Sequence, residues 1–91
     1  MIYKIVPSNQ FKKDLKLAIK RGYNMKRIEF VVDTLAKGEP LPEKYRDHPL
    51  SGNFIGCREC HILPDWLLIY EIAEKELLLY LTRTGTHSDL F

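Results

Sequence analysis

His61-Ile62-Leu63-Pro64-Asp65-Trp66-Leu67-Leu68-Ile69-Tyr70 decides the fold of this 91-residue chain. Two runs rich in apolar, β-branched and aromatic residues flank Pro64-Asp65, a pair suited to a tight turn, so the stretch reads as two antiparallel strands. Working outward, the first run starts at Gly56, the second continues to Ala73, and a third spans Glu76 to Arg83 beyond a second turn at Glu74-Lys75. The back half is therefore predicted to be a three-stranded antiparallel meander. Two-residue turns at both places set Leu63 opposite Trp66, His61 opposite Leu68, Leu81 opposite Leu68 and Arg83 opposite Trp66. That register also sets Arg58 against Glu71 as a cross-strand ion pair, and it puts His61, Trp66 and Arg83 on one face of the sheet. One extra residue in the second turn would send Arg83 to the other face.

Upstream of the meander the period changes. Tyr3 to Val6 is a short strand-like run stopped by Pro7. From Ser8, the apolar residues Phe11, Leu15, Ala18 and Ile19 recur at helical spacing, and Gly22 ends the run. Asn24 can cap a second helix with Met25, Ile28, Val31, Val32 and Leu35 as its buried stripe, ending at Gly38 before Pro40. The fold class is α+β: an N-terminal strand, a two-helix hairpin, then the meander, all in a single domain over residues 1–91. Residues 39–53 hold Pro40, Pro42, Pro49 and Gly52 without periodicity, and a loop that long in so small a domain is commonly functional. Pro49 keeps His48 extended.

Composition describes an ordinary globular protein, 45% hydrophobic and 29% charged. The longest apolar runs, Trp66–Tyr70 and Leu77–Leu81, are five residues each, far below the roughly 20 of a membrane helix. No membrane partner and no secretion signal are expected, so the protein is expected in the cytoplasm with both cysteines reduced. The net charge of +2 conceals an asymmetry: residues 1–48 carry eleven Lys and Arg against six acids, a net +5, and residues 49–91 carry three against six, a net −3. Lys12, Lys13, Lys16 and Lys20 fall on the first helix. A basic face of this kind can follow RNA phosphates, and it serves equally well as a solvated, solubilising surface.

Cys57-Arg58-Glu59-Cys60-His61 matches the haem-attachment pattern and half of a zinc knuckle. On a strand, however, positions three apart point to opposite faces, so the two sulfurs cannot share one ligand. Neither a metal nor a cofactor is assigned. The chemistry lies instead in His48, His61 and His87, which have Asp47, Asp65 with Trp66, and Arg83 nearby in sequence. Cleavage of RNA without a metal needs a base for the 2′-OH, an acid for the leaving 5′-oxygen and a cation for the phosphorane. Imidazole serves the first two near neutral pH, and a fixed guanidinium serves the third. Each of these residues also has an ordinary reading: a surface histidine, a turn aspartate, a core tryptophan, an ion-paired arginine.

Three motifs add a resemblance. Tyr45-Arg46-Asp47-His48-Pro49-Leu50, then His61-x-x-Pro64-Asp65-Trp66-Leu67-Leu68-Ile69-Tyr70, then Arg83-Thr84-Gly85-Thr86-His87-Ser88-Asp89-Leu90-Phe91 together resemble the YafQ branch of the RelE superfamily, the toxin halves of bacterial toxin–antitoxin pairs. The resemblance implies a RelE-like fold and a ribosome-dependent endoribonuclease that cuts mRNA and is silenced by a cognate antitoxin. It implies catalytic roles for His48, His61, Asp65, Arg83 and His87, with Trp66 and Phe91 near the RNA. Two rivals stand beside it: a ParE-type toxin of the same fold that binds DNA gyrase without catalysis, and an RNA-binding module without chemistry. Both predict that His87→Ala leaves toxicity intact.

Overall fold

The structure, a computed structural model, describes residues 2–91. β1 (Lys4–Pro7) leads into α1 (Asn9–Lys20) and α2 (Met25–Ala36), followed by β2 (His48–Pro49), β3 (Arg58–Leu63), β4 (Trp66–Ala73), β5 (Leu78–Gly85) and α3 (His87–Leu90). The strands form one sheet in the order β1-β5-β4-β3-β2. β1 runs parallel to β5, and all other pairs are antiparallel. The expected strand, helix hairpin and meander are present, with β1 and β2 adding a strand at each edge.

Local chemistry explains the helix boundaries. The Ser8 hydroxyl accepts from the Phe11 N–H at 2.9 Å and Asn24 Oδ1 accepts from the Lys26 N–H at 3.0 Å, satisfying donors that each helix start leaves free. Both helices close on a left-handed glycine, Gly22 (φ 81°) and Gly38 (φ 74°). In each, the glycine N–H and the one after it turn back onto carbonyls of the last turn: Gly22 to Ile19 and Tyr23 to Ala18, then Gly38 to Leu35 and Glu39 to Thr34.

Each face of the sheet buries a different core. One face packs Cys60, Ile62, Trp66, Leu68, Tyr70, Leu79 and Leu81 against Phe11 and Ala18 of α1 and Ile28, Val31 and Leu35 of α2. The other buries Leu67, Ile69 and Leu90, with Leu50, Phe54 and Cys57 around them. Each fully buried Leu or Ile contributes about 1.5–3 kcal/mol, so the helical face carries most of the stability. Ile19, expected in the α1 stripe, is 56% exposed.

Two irregularities reset the register. Leu63 faces Trp66 as expected, but His61 faces Leu67, which leaves Ile62 as the extra residue on β3. On β5, Leu81 faces Tyr70 and Arg83 faces Ile69, leaving Thr82 extra. The turn after β4 also holds four residues rather than two, with Leu77 in the left-handed region (φ 56°). Arg58 consequently stands opposite Tyr70 and pairs with Asp47, correcting the expected partnership with Glu71. His61 and Trp66 fall on opposite faces, since Leu67 lies in the small core and Trp66 in the large one. The β5 irregularity is supported from α1: Ser8 donates from its hydroxyl to the Thr82 carbonyl at 2.8 Å, and Asp14 accepts from the Thr84 N–H at 3.2 Å. The start of α1 thus covers the β5 edge beyond the end of β1.

Candidate active site

Three chain segments bring the histidines together. His48 lies on the edge strand β2, directly opposite Glu59 of β3. Arg46, left-handed at φ 49°, ends the short 3-10 turn at Glu43–Tyr45 and turns its carbonyl back to accept from His48 Nδ1 at 2.6 Å. His61 sits two residues beyond Glu59, on the same face of β3, and its Nδ1 lies 3.3 Å from the Pro64 carbonyl. His87 opens α3, whose start is fixed by reciprocal bonds between Thr86 and Asp89.

The imidazoles form a row. The ring centres of His48 and His61 are 6.2 Å apart, and those of His61 and His87 are 5.8 Å apart. Each end of the row carries a carboxylate. Asp65, in the β3–β4 turn, accepts through Oδ1 from both the His87 N–H (3.0 Å) and His87 Nδ1 (2.7 Å). The backbone bond from His87 is the largest influence on the Asp65 carboxyl and, with the imidazole bond, holds it below its ordinary range. At the other end, Glu59 Oε1 is 3.4 Å from His48 Nε2 and 3.6 Å from His61 Nε2. Beside the row opens a cleft of about 590 Å³ lined by His61, His87, Pro64, Arg27, Lys44 and Arg46, among others. It joins potential proton carriers to three cations, the combination needed to seat and cleave a phosphodiester.

The remaining expected residues divide. Arg83 does not line this cleft. Its Nε and Nη2 donate to Asp14 at 2.7 and 3.2 Å, a two-point grip that raises the guanidinium pKa further. Asp47 serves the loop: it accepts from the Tyr70 hydroxyl at 2.6 Å and from Arg58 at 3.2 Å. Trp66, expected near RNA, is 1% exposed, packs on Tyr23 at 4.8 Å and donates to the Thr84 hydroxyl at 2.9 Å, so it belongs to the core and offers no ring face to a base. Phe91 is 65% exposed, its ring nearly perpendicular to that of Phe54 with the ring centres 5.7 Å apart. Lys12, Lys13, Lys16 and Lys20 are exposed on α1. Cys60 lies in the large core and Cys57 beside the small one, on opposite faces as their spacing demands, and burial raises both thiols above their ordinary range.

Sequence reasoning missed Glu59, Arg46 and the two other cleft cations, Arg27 and Lys44. Glu59 had a legible signal, because i and i+2 share a strand face and His61 follows at that spacing. The cations had none, because their approach depends on how the 39–47 loop lies over α2.

Comparisons with known proteins point one way. A family described as bacterial toxin of type II toxin-antitoxin system, YafQ, matches residues 3–91. The mRNA interferase toxin YafQ of Escherichia coli K12 is 46% identical over 85 residues, covering 92% of this chain and 90% of that protein. The crystal structure of the E. coli DinJ–YafQ complex contains a chain with TM-score 0.90 and 43% identity, with 98% of each chain covered. A metal-bound toxin from Helicobacter pylori superposes with TM-score 0.92 at 47% identity over the full length of both chains.

Proposed function

Because the chain belongs to the YafQ family of type II toxin–antitoxin toxins and is an mRNA interferase, we propose that it cuts ribosome-bound mRNA by intramolecular attack of the 2′-OH, with imidazole groups moving the protons. The observation that carries this reading is the row of three imidazoles with His87 held by Asp65. A carboxylate on Nδ1 fixes the ring tautomer and orientation, which leaves Nε2 free to exchange a proton with substrate. His87 is one proton carrier, and His48 or His61 is the other. Arg27, Lys44 and Arg46 seat the RNA backbone along the cleft; Arg83, held by Asp14 outside it, neutralises the phosphate as it gains charge, and Phe91 positions the RNA by stacking.

The site is open: the His87 side chain is 54% exposed and that of Asp65 67% exposed. Such a surface orders a flexible RNA poorly by itself, so the ribosome supplies the missing alignment. The lysines of α1 suit docking on ribosomal RNA phosphates, and the cytoplasm is the compartment this activity needs. By the same reading a cognate antitoxin silences the protein with an acidic segment laid over the basic helices or the active face.

The test maps mRNA 5′ ends in a translation extract with and without the protein, beside a His87→Ala control and a ribosome-free reaction. Codon-phased cuts that require both His87 and ribosomes are expected. Equal cleavage of naked RNA removes the ribosome requirement, and growth arrest by His87→Ala returns the gyrase-binding alternative.

A further inference from the structure

We propose that Arg21 is a positioning residue for the nuclease: by gripping Asp89 it holds the short helix α3, and with it the His87 ring, at the angle that proton transfer requires. The proposal rests on the reading above, in which His87 moves a proton, and it adds a residue of the α1 terminus that does not line the cleft. Four residues make a single helical turn, too short to hold itself, so α3 takes its placement from what it touches. Leu90 anchors it in the small core, and Asp65 accepts from the His87 N–H. Two such points leave a turn free to rock about the line that joins them. Asp89 supplies the third. Arg21 Nη1 donates to Asp89 Oδ2 at 2.6 Å and Nη2 donates to Oδ1 at 3.2 Å, a charge-assisted grip at two points.

Both ends of this grip are fixed. Asp89 Oδ2 also accepts from the Thr86 N–H at 3.0 Å, closing the box that starts α3. The carboxylate lies close on Gly85, where a Cβ would sit 2.9 Å from Oδ2. Arg21 ends α1 with its N–H bonded to the Leu17 carbonyl at 2.9 Å, and Phe11 and Ala18 seat that helix in the large core. A continuous path therefore runs from the main core through Arg21, Asp89 and Thr86 to His87. Its effect is geometric, because the Arg21 and Asp89 side chains are 36% and 25% exposed, and ion pairs open to solvent add little to folding. Asp65 reaches His87 Nδ1 from an exposed turn, so that bond persists only while α3 keeps the ring within range. A carboxylate only accepts, so the bond holds the hydrogen on Nδ1 and leaves Nε2 to face the RNA. Without Arg21 the turn rocks on Leu90, and the ring divides its time between bonded and unbonded positions.

The test measures cleavage of ribosome-bound mRNA over a range of ribosome concentrations for Arg21→Ala, Arg21→Lys, Asp89→Asn and the Arg21→Ala/Asp89→Asn double variant, beside thermal melts and nitrogen NMR of the neutral His87 ring. Arg21→Ala should lower kcat by about 10–100-fold, the penalty for a slightly misplaced reacting group, with KM and melting temperature nearly unchanged. Arg21→Lys should fall almost as far, because an ammonium lacks the planar fork. Asp89→Asn keeps an acceptor for the Thr86 N–H but loses the charge, so it should match Arg21→Ala, and the double variant should be no worse than either. The tautomer with hydrogen on Nδ1, dominant in the parent, should give way to a mixture in all four. A loss confined to KM, or one that Arg21→Lys restores, would make Arg21 a phosphate contact and overturn the proposal. Additive losses, an unaltered His87 tautomer, or an unchanged rate per folded molecule would overturn it equally. Parent protein that does not cut would instead remove the nuclease reading, while the tautomer still decides whether Arg21 sets the ring.

Discussion

Asp65 holds His87 at two points with one oxygen, Oδ1 lying 3.0 Å from its backbone nitrogen and 2.7 Å from Nδ1. The carboxylate thus fixes both the start of α3 and the ring. Removing the ring by His87→Ala should lower ribosome-bound cleavage by about 10²–10⁴-fold, the range for a lost acid–base group. Asp65→Ala should lower it by a smaller factor, because the imidazole remains but turns freely. Both side chains are exposed, so melting temperatures and antitoxin binding should hardly change. Single-turnover cleavage of a reporter mRNA, beside a thermal melt, separates the two effects.

Asp14 joins α1 to β5 through Arg83 and the Thr84 N–H. Asp14→Ala leaves both donors without their acceptor and should cost about 1–3 kcal/mol in urea unfolding. Burial pushes the Asp14 carboxyl up, but hydrogen bonds from Arg83, Gln10 and Thr84 outweigh it and hold the pKa below the ordinary value. A depressed carboxyl stabilises the folded state above its unfolded pKa of about 3.9 and loses that contribution as pH falls further through the folded value. The penalty of Asp14→Ala should therefore be full at pH 7 and shrink below about pH 4.

Arg83→Ala should abolish cleavage while the protein still folds and binds antitoxin. Arg83→Lys should restore little, because an ammonium cannot reproduce the planar two-point grip on Asp14. Toxicity in cells and cleavage in extract both read this outcome.

Trp66 supports the core, so its loss should act through folding. Trp66→Ala should cost about 3–5 kcal/mol, whereas Trp66→Phe should keep the cleavage rate per folded molecule. A folded Trp66→Phe protein with cleavage reduced a hundredfold would restore a direct role for the indole.

Replacing Lys12, Lys13, Lys16 and Lys20 by Gln tests the basic helix. If all four meet ribosomal phosphates, the slope of log affinity against log salt should flatten by about 3. An unchanged slope would leave α1 a solubilising surface.

Strand and helix identities were legible because their apolar periods are strong and their stops, Pro7, Gly22, Gly38 and Pro64, are unambiguous. The convergence of His48, His61 and His87 was not: His48 reaches Glu59 through a two-residue edge strand too short to carry a pattern, and the register depends on extra residues at Ile62 and Thr82. Neither shows in composition, because each is set by partners from elsewhere, as Ser8 is for Thr82. The pairing of Arg83 with Asp14 was hidden for the same reason, the two lying 69 positions apart.

The separation of the two cores has a functional corollary. Leu90, the buried residue of α3, anchors that four-residue helix against Leu67 and Ile69, while the helices hold the rest of the molecule from the far side. The reactive surface therefore rests on a foundation that is small and lies on the face of the sheet away from α1 and α2. Substitution at Leu90 should therefore loosen the reactive surface while α1 and α2 keep the rest of the sheet folded.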